Sequence, residues 1–159
     1  MRITTALVTF LATATLSLTA GAQSLPYTAG DDHLMVTPDQ LEWGPVGSMA
    51  EGAEMAVIEG DLSQEEPFTF RLRLPDGYRI DPHVHPAYER LTVLSGTLHF
   101  AHGESFDADQ LQRLPAGSVA IMPPGHAMFG EAEGETVFQL HGTGPWAIDY
   151  IDPAHDPRR

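Results

Sequence analysis

The chain has 159 residues, 42% of them hydrophobic and 19% charged, which suits one domain with its own core and is too short for two ordinary ones. Against 22 acidic side chains stand 8 basic ones, all arginine, for a net charge of −14; with no basic stripe, nucleic acid and anionic membrane surfaces are disfavoured as partners. Cysteine is absent, which excludes disulfides, thiolate zinc sites and cysteine nucleophiles.

Arg2, an apolar run from Ala6 to Leu18 and the triplet Ala20-Gly21-Ala22 follow the order of a secretory leader. The run is short of the ~20 residues needed to span a bilayer. The expectation is a signal peptide over residues 1–22, cleaved before Gln23, and a periplasmic or secreted mature chain with no membrane attachment. Residues 23–54 are punctuated by Gly, Pro and Asp and are expected to form an extended N-terminal arm. One helical turn is expected near Pro38, with Trp43 as a packing anchor.

From Met55 the pattern becomes that of an all-β domain, expected over residues 55–151, with 15 glycines and 13 prolines to turn its strands. Met55 to Ile58 is the first strand, ended by Gly60-Asp61. Phe68, Phe70, Leu72 and Leu74 alternate with Thr69, Arg71 and Arg73, the period of a half-buried strand. Pro75-Asp76-Gly77 turns the chain into an extended segment from Tyr78 to His85. Glu89 to Ser95 is the next strand, and Gly96 is expected to turn it into a return strand from Thr97 to Phe100. Asp107 to Leu114 is the best helix candidate. Val119 to Met122 lies between two proline-glycine turns. Glu133-Gly134 separates a strand at Met128-Phe129 from another at Val137 to His141. A last strand is expected within Pro145 to Ile151, and residues 152–159 form a polar tail. Phe70, Phe100, Phe138 and Trp146 are assigned to the core, and His33, His99, His102 and His155 to solvent. Tyr88 is assigned to packing.

Residues 77–96 carry the pattern G-x5-H-x-H-x3-E-x6-G: Gly77, His83, His85, Glu89, Gly96. Gly117, Pro123 and Gly125 begin a second pattern, G-x5-P-x-G-x2-H, whose closing histidine position holds Met128. The chain here resembles the cupin family, over roughly residues 55–151. The stretch GETVFQLHGTGPWAIDYIDPAHDPRR is similar to a group of secreted, poorly characterised single-cupin proteins. The resemblance implies a double-stranded β-helix, a jelly-roll barrel, with His83, His85 and Glu89 as metal ligands. It also implies that the barrel pairs as a homodimer.

The residues support the same site independently. Alternate strand side chains share a face, so His83 and His85 project together. Glu89 shares a face with Leu91 and Val93, where an unpaired carboxylate is costly. Two histidines and a carboxylate leave positions open, which suits iron or manganese, with zinc, nickel or copper also candidates. His126 is a candidate replacement for the missing fourth ligand, and Met128 and His141 are pocket candidates. With no G-x-S-x-G and no phosphate-binding glycine loop, chemistry at a metal or in a small-molecule pocket remains. One expectation is a metal-dependent enzyme such as a dioxygenase. Another is a non-catalytic module for a small ligand or metal, metal-free if Met128 spoils the site. Copper handling by His and Met is a third.

Overall fold

Phe68, Phe70, Leu72 and Leu74 are all buried on one side of a strand while Arg71 and Arg73 lie on the other, as their alternation requires. The computed structural model describes residues 25–28, 30 and 32–159; the leader expected over residues 1–22 falls outside them. Nine strands follow in order: β1 (Gly44–Pro45), β2 (Glu54–Glu59), β3 (Pro67–Leu74), β4 (Arg79–Val84), β5 (Glu89–His102), β6 (Gln112–Pro115), β7 (Val119–Met122), β8 (Met128–Thr143) and β9 (Asp149–Tyr150). The described residues hold no α-helix, only three short 3-10 turns. No helix among them is long and apolar enough to cross a membrane.

Two strands organise the barrel. β5 pairs along one edge with β8. Along its other edge it pairs first with β7, at Glu89 to Thr92, and then with β6, at Thr97 to Phe100. β8 in turn pairs with β4 over its first half and with β3 over its second. The chain therefore forms two half-sheets, β1-β2-β3-β8-β5-β7 and β9-β4-β8-β5-β6, that share their two long strands and curl into a jelly roll. The apolar faces of both halves meet inside, with Leu74, Leu91, Leu98 and Leu140 at 0–2% exposure.

The corner where one half becomes the other lies at Gly96 in β5 and Gly134 in β8, both at positive φ (72° and 70°). The register of β5 against β8 slips on either side of Ser95. At Gly96 a Cβ would stand 2.5 Å from both the Glu135 carbonyl oxygen and Thr136 Oγ1, so no other residue fits without the corner opening. The expected hairpin at Gly96 and the expected break at Glu133-Gly134 are thus corrected. Each glycine bends a continuous strand, because a bulge adds twist without ending the ladder.

Other local expectations change as well. Asp107 to Leu114 is a single 3-10 turn, Ala108–Gln110, capped by Asp107 and followed by β6. Pairing with Thr97 to Phe100 draws the segment into the sheet, and a one-turn helix has little to set against a ladder. The last strand shrinks to β9. The tail is held: Arg158 donates to the Ile148 carbonyl at 3.0 Å and to Asp156. Tyr88 is 48% exposed rather than packed, with the Arg90 guanidinium 5.2 Å from its ring. His99 meets Glu133 at 2.7 Å.

The arm is tied to the barrel. Trp43 takes the Arg73 guanidinium over its ring at 4.4 Å, β1 pairs with β2, and two tyrosines fasten the loop that follows. Tyr78 Oη donates to the Ala50 carbonyl (2.8 Å) and Tyr150 Oη to the Ser48 carbonyl (3.0 Å). Met49, between those carbonyls, is buried and reaches the barrel cavity.

Candidate functional site

His83 sits near the end of β4, His85 just beyond it, and Glu89 opens β5. All three line one cavity and are 3–4% exposed. The alternation read from the sequence places Glu89 with Leu91 and Val93 on the inner face, and both neighbours are 1% exposed. The remaining walls are apolar, among them Leu72, Ile80, Phe138 and Trp146. The cavity is small, about 30 Å³. A water needs ~10–15 Å³ on this measure, so the space takes a pair of waters or an ion with one small ligand.

Hydrogen bonds set the chemical character of the two imidazoles. Their rings lie 4.8 Å apart, nearly perpendicular. His83 Nδ1 is 2.7 Å from the Asp81 carbonyl and His85 Nδ1 is 2.6 Å from the Ala147 carbonyl. A carbonyl only accepts, so each Nδ1 carries a proton and donates it. In the neutral rings each Nε2 is then a bare lone pair, the arrangement that protein scaffolds impose on metal-binding histidines. Burial, followed by the neighbouring His85, pushes the His83 pKa down to about 4.

His85 Nε2 lies 2.8 Å from Glu89 Oε2 yet is a buried nitrogen with no hydrogen-bond partner. Distance and direction disagree: the carboxylate oxygen is close but off the axis of the nitrogen. The contact is therefore not a hydrogen bond. A bare lone pair beside a carboxylate is two acceptors facing each other, which a cation or a proton between them relieves. The donor set therefore fits a divalent ion. The three groups nevertheless do not form a ready-made cluster, and among the described residues no group of three or more His, Cys, Asp or Glu is arranged to hold a metal ion. Glu89 rests on His85 instead of pointing with it toward a shared centre.

The remaining candidates separate clearly. Met128 is fully buried and is the register partner of His83 across β4 and β8. It therefore occupies the position next to that imidazole on the neighbouring strand, although its side chain packs into the core rather than lining the cavity. His126 is exposed in the turn between β7 and β8 and is not brought to the site. That turn, held by His126 N–H to the Pro123 carbonyl, leaves no extended segment to carry the side chain inward. His141 is exposed on the outer face of β8, because Phe138 and Leu140 hold the inner-facing parity.

Trp146 packs against the core, on Phe68 and Phe70, as assigned, and also lines the site. Its indole stacks on the His85 imidazole, centroids 4.5 Å apart and planes 21° from parallel. Its Nε1 is buried without a partner. The Gly144-Pro145-Trp146 setting offered a signal, since a loop tryptophan between turn residues has no strand face to explain it.

The family described as "Domain of unknown function (DUF4437)" matches residues 35–157. Among solved structures, the chain is similar to the polyketide cyclase RemF from Streptomyces resistomycificus, with 15% identity, a TM-score of 0.64, and 80% of this chain and 91% of that one covered. It is similar to an acetylacetone dioxygenase from Acinetobacter johnsonii, with 14% identity, a TM-score of 0.59 and coverage of 79% and 81%. It is also similar to an RmlC-like cupin from Shewanella frigidimarina, with 14% identity, a TM-score of 0.56 and coverage of 70% and 91%. No curated protein matches the chain. The chain belongs to the DUF4437 family, and its fold is the jelly roll of the RmlC-like cupin it resembles.

Proposed function

We propose that the chain is a metal-dependent cupin enzyme acting on a small organic molecule, with His83, His85 and Glu89 as the metal-binding side chains. The observation that carries this reading is the pair of Nδ1-to-carbonyl hydrogen bonds, which strip both Nε2 atoms for coordination and leave one of them buried and unsatisfied. A bound divalent ion would supply Lewis-acid or redox chemistry. The protein's own contribution is two fixed imidazoles, a carboxylate, and apolar walls that keep bulk water out. Secretion to the periplasm or beyond, a homodimeric state and manganese, iron or zinc as the metal are part of the proposal. That solved cupins similar in fold include a dioxygenase and a cyclase supports enzyme chemistry without choosing the reaction.

A second reading has its own support. Glu89 already lies against His85, and Met128 stands where the cupin pattern has its last histidine, so the same cavity also suits a metal-free binding module. Elemental analysis of untagged protein, purified natively, decides between them. The metal reading expects near-stoichiometric manganese, iron or zinc that falls away in His83→Ala and Glu89→Gln. Protein that carries no metal and takes up none of manganese, iron, zinc, nickel or copper belongs to the second reading.

A further inference from the structure

With Phe100 in its wall, the cavity of His83, His85 and Glu89 holds about 30 Å³, far below the roughly 300–1,000 Å³ of small-molecule sites, so an organic substrate needs space beyond it. A second hollow of about 420 Å³ lies along β6 and β7. One side chain, Phe100, lines both spaces. We propose that this groove is the binding site for a small, uncharged, polar organic molecule and that the Phe100 ring is the door between it and the His83, His85 and Glu89 cavity. The proposal rests on the enzymatic reading of that cavity, and it adds the substrate class and the route in.

The topology makes the groove. β6 and β7 each pair only with β5, so their far edges carry backbone N–H and C=O groups with no strand beside them. Gln112 is opposite Phe100 and Leu114 opposite Leu98 in the ladder, and opposed residues share a face. Gln112 and Leu114 therefore face the same side as the door. Ala120 and Met122 contribute from β7, where Met122 is the register partner of Glu89.

The lining selects the ligand by what it lacks. Not one groove residue is an acid or an arginine, in a chain of net charge −14. A cation finds no carboxylate there, and an anion meets the repulsion of the whole molecule with no guanidinium to offset it. What the groove does offer is His102, the amides of Gln110 and Gln112, free backbone edges, and apolar surface on Leu114, Val119 and Ile121. The Gln110 amide nitrogen is taken by Asp107 at 2.7 Å, which leaves its carbonyl oxygen to accept from a hydroxyl.

Phe100 stands between the two spaces. It is 7% exposed and belongs to the buried core, with the His102 ring edge-on at 6.5 Å. Its partner on β8 is Gly130, where a Cβ would come within 3.1 Å of Phe100 Cδ2. The ring therefore packs directly on the glycine backbone of the neighbouring strand, and a side chain at position 130 would displace it.

The absence of cysteine permits a direct test. Leu140→Cys places a thiol in the cavity wall, 2% exposed in the parent side chain. The rate of its modification by methyl methanethiosulfonate, a small uncharged reagent, reads access to the cavity and needs no metal. Adding Phe100→Ala is expected to raise that rate about tenfold or more, while Ile80→Ala, which enlarges the cavity from another wall, changes it by less than about twofold. Filling the groove with Gln112→Trp is expected to slow the reaction. Equal acceleration by Phe100→Ala and Ile80→Ala, or indifference to Gln112→Trp, would show entry by general breathing and overturn the door. Should Phe100→Ala not fold, Phe100→Leu carries the same comparison. A protein that proves metal-free leaves this measurement readable, so the two proposals fail separately.

Discussion

The indole of Trp146 lies flat on the imidazole of His85, 4.5 Å between centroids, while the far side of that histidine meets Glu89. The stack, the Nδ1 bond to Ala147 and the carboxylate together leave the ring one orientation. Trp146→Ala removes a large apolar side chain and frees the imidazole to turn. Expected losses are about 3 kcal/mol of stability by urea unfolding and about tenfold or more in metal affinity by chelator competition. Lost stability with unchanged affinity would reduce Trp146 to packing.

Glu89→Gln separates coordination from structure. The glutamine amide can donate to His85 Nε2, turning two facing acceptors into a hydrogen bond, so unfolding free energy is expected to hold or rise by about 1 kcal/mol. Metal retention is expected to fall about tenfold or more in the same variant, because the anionic ligand is gone. A variant that keeps its metal would remove Glu89 from the ligand set.

His83 ties stability to pH. Burial first, then His85, lowers its folded pKa to about 4, against about 6.5 in an unfolded chain. The unfolded chain therefore takes up the proton first as pH falls. The contribution is complete above pH 6.5, declines from there to pH 4 and is gone below it, about 3 kcal/mol in all. Urea unfolding at pH 7, 5.5 and 4 is expected to show this decline in the parent and a shallower one in His83→Gln. Parallel curves would show that His83 does not titrate in this range.

Legibility tracked how local each cause was. The parity of Phe68 to Leu74, and of Glu89 with Leu91 and Val93, depends only on strand period, and the sequence reading placed the inner faces of β3 and β5 correctly. The shared placement of His83, His85 and Glu89 was legible from spacing, because few chain paths separate residues that close together. The direction of Glu89 was not, since it turns onto His85, whose own orientation depends on Ala147, 62 residues away. Trp146 and Met49 reach the cavity through loops, where no period announces which side faces in. Gly96 and Gly134 signalled a break correctly and its kind wrongly: a positive φ serves a hairpin or a bulge equally, and only the β5–β8 ladder decides.

The corner glycines then predict unequal costs. At Gly96 an alanine meets backbone at 2.5 Å as well as an unfavourable φ of 72°, so a destabilisation of about 3 kcal/mol or more, or failure to fold, is expected. At Gly117, φ 90°, nothing lies within 4 Å of the added carbon, so Gly117→Ala carries backbone strain alone, about 1–2 kcal/mol. Thermal unfolding of the two variants side by side checks the ranking. Equal effects would mean that the strands relax at the bend and that Gly96 is needed only for its dihedral.

Met128→His tests whether the position beside His83 is a ligand site in waiting. Met128 is 0% exposed and opposite His83 in the β4–β8 register, and partners across a ladder share a face. Without metal, an imidazole there is a buried polar group short of partners, expected to cost about 1–3 kcal/mol. With metal, a third imidazole replaces a thioether that suits Mn(II) and Fe(II) poorly. The expected result is a manganese affinity about tenfold or more tighter, accompanied by metal-dependent recovery of the lost stability. The two effects have opposite signs and one origin, so a thermal-shift titration with manganese reads both. A variant that is destabilised yet insensitive to manganese would show that position 128 packs beside the site without facing it.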